Sequence, residues 1–91
     1  MRITYLPHAR RRMEERRISE EEVETVLEAP ALEYLGNLGR TVAERILPGR
    51  RLAVKVVYNL GAGGERVVVT VELGRPTRPA GQERGEQWHT D

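Results

Sequence analysis

The sequence contains no cysteine, a single lysine and a single serine. The absence of cysteine excludes disulfide bonds, thiolate metal sites and cysteine nucleophiles. No apolar run approaches the roughly 18 residues that a membrane-spanning helix needs, and the amino terminus carries no apolar signal segment. We therefore expect a cytoplasmic protein that does not associate with a membrane.

Arginine supplies fourteen of the fifteen basic residues, and Lys55 is the single lysine. The planar guanidinium group suits bidentate contacts with phosphate. Adaptation to high temperature, in a thermophile, would produce the same bias, together with few asparagine and glutamine residues. The composition alone leaves both interpretations open.

The net charge of +1 conceals a strong segregation of charge along the chain. Residues 1–18 carry six arginines and two glutamates, whereas residues 19–33 carry six glutamates and no basic residue. A basic patch of this kind can attract phosphate even on a nearly neutral protein. The alternative is that the acidic segment simply neutralises the basic one.

Ninety-one residues suffice for one domain. Hydrophobic periodicity extends to about residue 73, and we predict a single domain over residues 1–73. Residues 74–91 lack periodicity and are rich in glycine, proline and charge, which predicts a flexible carboxyl-terminal tail. Trp88 and His89 lie in this tail, where they would be able to dock on the body or on a partner.

Two helices are predicted near the amino terminus. The first starts at Pro7, which suits a first helical turn, and extends to about Arg17. The second starts after Ser19, where Glu22 completes a capping box, and ends at Ala29–Pro30.

Strands are predicted for most of the remaining chain, at residues 2–5, 32–38, 41–47, 51–60 and 65–73. Residues 61–64 form a glycine-rich hairpin turn rather than a phosphate loop, since no Gly-Lys-Ser/Thr follows. In the last strand, alternation places Val67, Val69, Val71 and Leu73 on one face and Arg66, Val68, Thr70 and Glu72 on the other. We predict an α+β fold, with two amino-terminal helices packed on an antiparallel sheet of three to five strands.

One row of side chains on the first helix has the composition of a reactive site. His8, Arg12 and Arg16 are spaced by four and share a helical face at the border of the apolar stripe. Imidazole can exchange protons near neutral pH, and guanidinium can stabilise charge on phosphate. Together they suit RNA cleavage through the 2′-hydroxyl, a reaction that requires no metal. The alternative is that His8 packs or caps the helix start while the arginines are solvated.

Other chemistries have less support in the sequence. Glu14 and Glu15 are adjacent and point in different directions on a helix. The two histidines are 81 positions apart, which does not indicate a metal site. We predict neither a metal nor another cofactor.

The stretch from His8 to Ser19, followed by Glu22, Val23 and Leu27, resembles domain-of-unknown-function family 4258. That family opens with the pattern H-A-x-x-R-M-x-x-R-G-I and closes with a strand that carries a threonine. The resemblance covers about residues 3–73, with Val69-Thr70-Val71 as the closing strand. Arg17 departs from the pattern because it stands where the family usually has glycine.

The family is itself similar to the RelE and barnase-like group of small metal-independent ribonucleases, many of them toxins of toxin–antitoxin pairs. This resemblance implies a RelE-like fold and an endoribonuclease held inactive by an antitoxin protein. It implies His8 as the acid/base, Arg12 and Arg16 as phosphate ligands, and Thr70 as the residue that orients phosphate or water. Three further substrate-binding candidates lie on or beside the strands: Arg51, Lys55 and Tyr58.

Two other hypotheses belong to different functional classes. The charge segregation and the tryptophan in the tail also suit a noncatalytic RNA- or protein-binding module on the same fold. A third hypothesis is a homo-oligomer formed through an exposed sheet edge.

Overall fold

The computed structural model describes residues 1–78, which form two helices packed on one face of a five-stranded mixed sheet. The predicted α+β architecture is thereby confirmed. The strand order is β1-β5-β4-β3-β2. The elements in chain order are β1 (Ile3–Tyr5), α1 (Pro7–Arg16), α2 (Glu20–Glu28), β2 (Leu32–Leu35), a short 3₁₀ turn (Asn37–Gly39), β3 (Thr41–Arg45), β4 (Ala53–Leu60) and β5 (Arg66–Gly74). Neither of the helices described in residues 1–78 is long and apolar enough to cross a membrane.

The residue that follows α1, Arg17, has a backbone conformation that favours glycine. This residue adopts a left-handed backbone conformation with φ 54°. The N–H of Ile18 donates to the Met13 carbonyl at 2.8 Å, and the N–H of Arg17 donates to the Glu14 carbonyl at 3.3 Å. This is the Schellman arrangement, which glycine adopts without a steric cost and arginine does not. The buried side chains of Ile18 and Met13 stabilise the turn.

The start of α2 is built as predicted. The Ser19 hydroxyl accepts from the Glu22 N–H, and the Glu22 carboxylate accepts from the Ser19 N–H, both at 3.1 Å. Arg50, from the loop between β3 and β4, donates to Glu22 at 2.6 Å and to the Arg17 carbonyl at 2.7 Å. The hydrogen bond from Arg50 lowers the pKa of Glu22. Arg50 therefore fastens the turn between the helices to the end of the sheet.

The sheet differs from the antiparallel prediction at one edge. Strands β2 to β5 form an antiparallel meander, but β1 pairs with β5 in parallel, with Ile3 opposite Arg66 and Tyr5 opposite Val68. The pairing of β2 to β5 follows from their short connections. β1 and its partner β5 lie at opposite ends of the domain's sequence, so no short turn between them dictates an antiparallel direction.

The strict alternation predicted for β5 is wrong because a β-bulge interrupts its pairing with β4. Val57 lies opposite Thr70 and Tyr58 lies opposite Val68, so Val69 is an extra residue without an opposite partner. The bulge shifts the side-chain alternation by one position. Val68 and Val71 are therefore both fully buried, although alternation assigned them to opposite faces.

The core lies between the helices and one face of the sheet, which we call the helix face. Its largest fully buried side chains come from both layers: Val23 and Val26 from α2, and Val54, Val56, Val68 and Val71 from β4 and β5. The opposite face, which we call the open face, carries Tyr34, Val42, Glu44, Lys55, Val57, Thr70 and Glu72. This assignment follows from the strand register, and all of these side chains except Glu44 line one cavity on this face.

The first residues of the segment that we predicted as a flexible tail lie against the domain. Gly74 closes β5, and Thr77 forms hydrogen bonds with side chains on the open face. Residues 79–91, including Trp88 and His89, lie outside the described part of the chain. For them the tail remains a prediction.

Candidate functional site

Four side chains form a continuous row along the exposed side of α1, which we call the α1 row: His8, Arg12, Glu15 and Arg16. Arg12 Nε donates to His8 Nε2 at 3.5 Å, at the long end of the hydrogen-bond range. Arg12 Nη1 lies 3.1 Å from Glu15 Oε1, and Arg16 Nη1 lies 3.3 Å from the same oxygen. The predicted trio is thus joined in space, with a carboxylate between its two arginines.

The helix geometry explains the row. Ala9 and Met13 are buried against the sheet, which holds α1 in a fixed rotation. Arg12 and Arg16 are half-buried at the edge of that stripe, and their charged ends reach solvent. Glu15 follows Arg12 by three positions and His8 by seven, so it lies on the same side of the helix.

Glu15 is the member of the row that the sequence reasoning missed. We compared it only with its neighbour Glu14, which does point elsewhere. The available signal was its spacing of three from Arg12 and seven from His8, both of which are helical neighbours. Including Glu15 gives the row a second group able to accept a proton.

The α1 row contributes little to the stability of the fold, but its side chains are able to take part in a reaction. Its ion pairs are exposed, and exposed pairs contribute roughly 0.2–1 kcal/mol each. In the contact between Arg12 and His8, Arg12 Nε is the donor and His8 Nε2 is the acceptor. Imidazole, carboxylate and two guanidinium groups therefore face the same solvent-accessible strip.

Arg10 belongs to a structural contact instead. Its guanidinium pairs with Glu20 at the start of α2 and stacks over the Tyr5 ring, 4.4 Å from the ring centroid. Burial raises the pKa of Tyr5 to about 12, with further contributions from Glu20 and Glu24. At Arg10, a carboxylate of the acidic helix α2 therefore neutralises a charge of the basic helix α1.

Thr70 does not join the α1 row. It lies opposite Val57 on the open face, where it lines a cavity of ≈ 590 Å³ together with Lys55. The helices cover the other face of the sheet, so the structure places Thr70 on the side away from His8 and Arg12. The bulge at Val69 does not change this, because Thr70 and Val57 remain paired.

The three remaining sequence candidates lie in three different places. Lys55 is on the open face, 3.7 Å from the Glu44 carboxylate. Tyr58 is on the helix face, where its hydroxyl donates to Glu33 at 2.6 Å. Burial raises the pKa of Tyr58, and the Glu33 contact adds to this effect. Arg51 is exposed in the loop between β3 and β4 and lines a small cavity there.

Comparison with protein families places these elements in a wider group. The family model described as Domain of unknown function (DUF4258) matches residues 5–72. The chain belongs to this family. No curated protein and no solved structure matches the chain significantly. The DUF4258 match contains the whole α1 row and Thr70, and it ends before residues 75–78.

A second polar cluster in this DUF4258 protein was not anticipated from the sequence. Glu44 is 2 % exposed, and its carboxylate accepts from the Tyr34 hydroxyl at 2.9 Å and from the Thr77 N–H at 2.7 Å. The Thr77 hydroxyl lies 3.1 Å from the Tyr34 oxygen and 3.2 Å from Lys55 Nζ. We call these four residues the open-face cluster.

The cluster explains how a carboxylate is tolerated at a buried position. Burial alone would raise the pKa of Glu44, but the hydrogen bonds from Thr77 and Tyr34, together with the Lys55 charge, outweigh it and lower the pKa. The pKa of Tyr34 is raised by burial and by the adjacent carboxylate. Only the cross-strand placement of Glu44 and Lys55 was readable in the sequence, whereas Thr77 is 33 residues from Glu44.

Proposed function

We propose that this DUF4258 protein is a metal-independent endoribonuclease of toxin–antitoxin type, with the α1 row as its catalytic group. The observation that supports the proposal is the row itself, in which Arg12 connects His8 to Glu15. An acid, a base and cations close to one phosphate are the groups that cleavage through the 2′-hydroxyl requires. The likeness to RelE and barnase-like ribonucleases belongs to the same proposal.

In this mechanism Glu15 and His8 divide the proton transfers. The Glu15 carboxylate accepts the proton of the 2′-hydroxyl, whose oxygen attacks the adjacent phosphorus. Protonated His8 donates a proton to the departing 5′-oxygen. The products are a 2′,3′-cyclic phosphate on one fragment and a free 5′-hydroxyl on the other.

The arginines bind the phosphate and stabilise the charge that develops on it. Protonation of His8 converts Nε2 from an acceptor into a donor, which breaks the contact from Arg12 Nε. The Arg12 guanidinium is then free to turn toward a phosphate oxygen. Arg16 shares Glu15 with Arg12 and supplies a second cation to the same strip.

The test compares purified wild type with His8→Ala and Glu15→Gln on a labelled RNA in the presence of EDTA. We expect cleavage by wild type and a loss of about 10²-fold or more in each variant, as is usual for general acid–base groups. Glu14→Gln on the same helix is the matched control and should retain wild-type activity. Equal background cleavage by all four proteins would refute the proposal.

A second candidate function is a noncatalytic RNA- or protein-binding module. It is favoured by the position of Thr70, since the predicted third catalytic residue is separated from the row by the sheet. This candidate predicts salt-sensitive retention of RNA, or a tight protein complex, without cleavage.

Each proposed function implies particular binding partners. An antitoxin protein would hold the nuclease inactive, and RNA would be the substrate. Self-association would use an edge strand, β1 or β2, and Leu35 at the end of β2 is 76 % exposed. Sedimentation that detects only monomer would argue against self-association.

A further inference from the structure

The open-face cluster holds part of the chain that follows β5 by side-chain hydrogen bonds, as a binding site holds a ligand. Residues 75–78 leave β5 and lie on the sheet without joining it as a strand. Thr77 is the point of contact, since its N–H and its hydroxyl reach three side chains from three different strands. Hydrogen bonds with side chains, and not strand pairing, therefore hold the segment on the sheet.

The hydrogen bonds require a hydroxyl that both donates and accepts. Tyr34 donates its proton to Glu44 Oε1, so its oxygen is left to accept from the Thr77 hydroxyl. Lys55 has only donors and gives one to the Thr77 oxygen. A serine hydroxyl would satisfy the same pattern, whereas valine or alanine at this position would remove one hydrogen bond each from Lys55 and Tyr34 and leave only their contacts with Glu44.

Pro76 precedes this threonine and is exposed. It forms part of the wall of a cavity of ≈ 420 Å³ that Leu32, Glu44 and Ala53 also line. A proline has no N–H, so it adds no hydrogen-bond requirement beside the polar cluster. The specificity of the site therefore depends on the hydroxyl-bearing residue that follows it.

The open face has room for a longer ligand than residues 75–78. The neighbouring cavity of ≈ 590 Å³ shares Tyr34 and Lys55 with the cluster, and Arg40, Thr70 and Glu72 also line it. It carries charges of both signs, so it suits a polypeptide backbone better than a uniformly anionic ligand. A partner segment that fills both regions would gain contacts that the chain's own segment does not make.

We propose that the open face is a recognition site for a partner polypeptide segment carrying threonine or serine, and that residues 75–78 are its built-in competitor. Thr77 lies three positions after the last residue of β5, so its effective concentration at the site is high. A short peptide in solution is therefore excluded until the internal segment is weakened or displaced. The site is on the opposite face of the sheet from the α1 row and does not depend on nuclease activity.

The test uses the full-length chain with Pro76→Gly and Thr77→Gly together, which removes the Thr77 hydroxyl, makes the internal segment more flexible and leaves the strands unchanged. The probe is a labelled peptide with the sequence of residues 74–80, Gly-Arg-Pro-Thr-Arg-Pro-Ala. Fluorescence anisotropy should show that the double variant binds this peptide at least about tenfold more tightly than wild type does. A peptide with valine for threonine should bind about tenfold more weakly, since a hydrogen-bond pair to a charged group is lost.

Two further variants test whether the peptide binds through the proposed hydrogen bonds. Lys55→Met in the double variant should abolish the preference for threonine over valine. Should the double variant fail to fold, as judged by circular dichroism, the single variant Thr77→Val in the full-length chain should give the same order of affinities. Equal binding of both peptides, no binding by a folded variant, or binding of a short RNA in place of the peptide would each overturn the proposal.

Discussion

The guanidinium group of Arg12 donates to the imidazole of His8 across one turn of α1, at a distance of 3.5 Å. The same guanidinium contacts Glu15 on the next turn, at 3.1 Å. A histidine and a carboxylate that belong to different turns are thereby connected by one cation. The α1 row thus presents an imidazole, a carboxylate and two guanidinium groups on a single exposed strip.

Binding of RNA should depend on the row arginines and not on Arg10. Each phosphate contact releases counterions, so Arg12→Gln and Arg16→Gln should each reduce the slope of log affinity against log salt by about 1. Arg10→Gln is the matched control, because Arg10 lies outside the row, where it is stacked on Tyr5 and paired with Glu20 of α2. Filter binding across a salt series measures the slope, and an equal effect from all three variants would indicate diffuse attraction.

Replacement of Arg17 by glycine should stabilise the protein. Arg17 adopts φ 54°, a conformation that costs a side-chain-bearing residue roughly 1–2 kcal/mol. Glycine removes this cost but gains entropy in the unfolded chain, so we expect a net increase of about 0.5–1 kcal/mol in the free energy of unfolding. Urea denaturation measures the change. Arg11→Gly inside the helix should instead destabilise by about 1 kcal/mol, and destabilisation by Arg17→Gly would contradict this account of the turn.

The bulge in β5 predicts different effects for two valines that strict alternation treats as equivalent. Val71→Ala should lower the free energy of unfolding by roughly 2 kcal/mol, because Val71 is fully buried in the core. Val69→Ala should cost less than about 1 kcal/mol, since Val69 is partly exposed and unpaired. Equal losses in thermal or urea unfolding would mean that the alternation is unbroken.

Glu22 and Arg50 should make stability depend on pH in the acid range. Arg50 lowers the folded-state pKa of Glu22, so the stabilisation is complete above the ordinary carboxyl pKa and is lost as pH falls through the lowered value. Arg50→Met should cost about 1–2 kcal/mol near neutral pH, since both partners are largely covered.

The same variant should also flatten the pH dependence below the ordinary carboxyl pKa, where the lowered pKa of Glu22 makes wild-type stability fall with pH. Arg51→Met, at the exposed neighbouring position, is the control and should change neither quantity. A pH profile in Arg50→Met that matched wild type would show that Glu22 is stabilised by other contacts.

Local signals explain which parts of this fold were predictable. The capping box of Ser19 and Glu22 and the proline at the start of α1 act within a few residues, and the structure confirms both. The parallel pairing of β1 and the bulge at Val69 arise from contacts between distant segments, and no local pattern encodes them. Arg17 stands between these cases, since its departure from the family pattern marked the turn but did not reveal its backbone conformation.

The residues of the candidate site also differ in whether local sequence signals predict their neighbours. His8 and Arg12 were predictable because helical spacing brings them together, and the same rule would have identified Glu15. Thr70 required knowledge of which sheet face it occupies, and the contact of Glu44 with Thr77 required the path of the chain after β5. These are tertiary relationships that one sequence does not contain.

The most direct test of the central proposal is the chemistry of the cleaved ends. Wild-type protein incubated in EDTA with an RNA oligonucleotide should release fragments with a 2′,3′-cyclic phosphate and a 5′-hydroxyl, identified by mass spectrometry. The same oligonucleotide with 2′-O-methyl groups should remain intact, and His8→Ala and Glu15→Gln should produce no such ends. Cleavage of the methylated oligonucleotide, or unchanged cleavage by either variant, would contradict the assignment of the α1 row as a ribonuclease site.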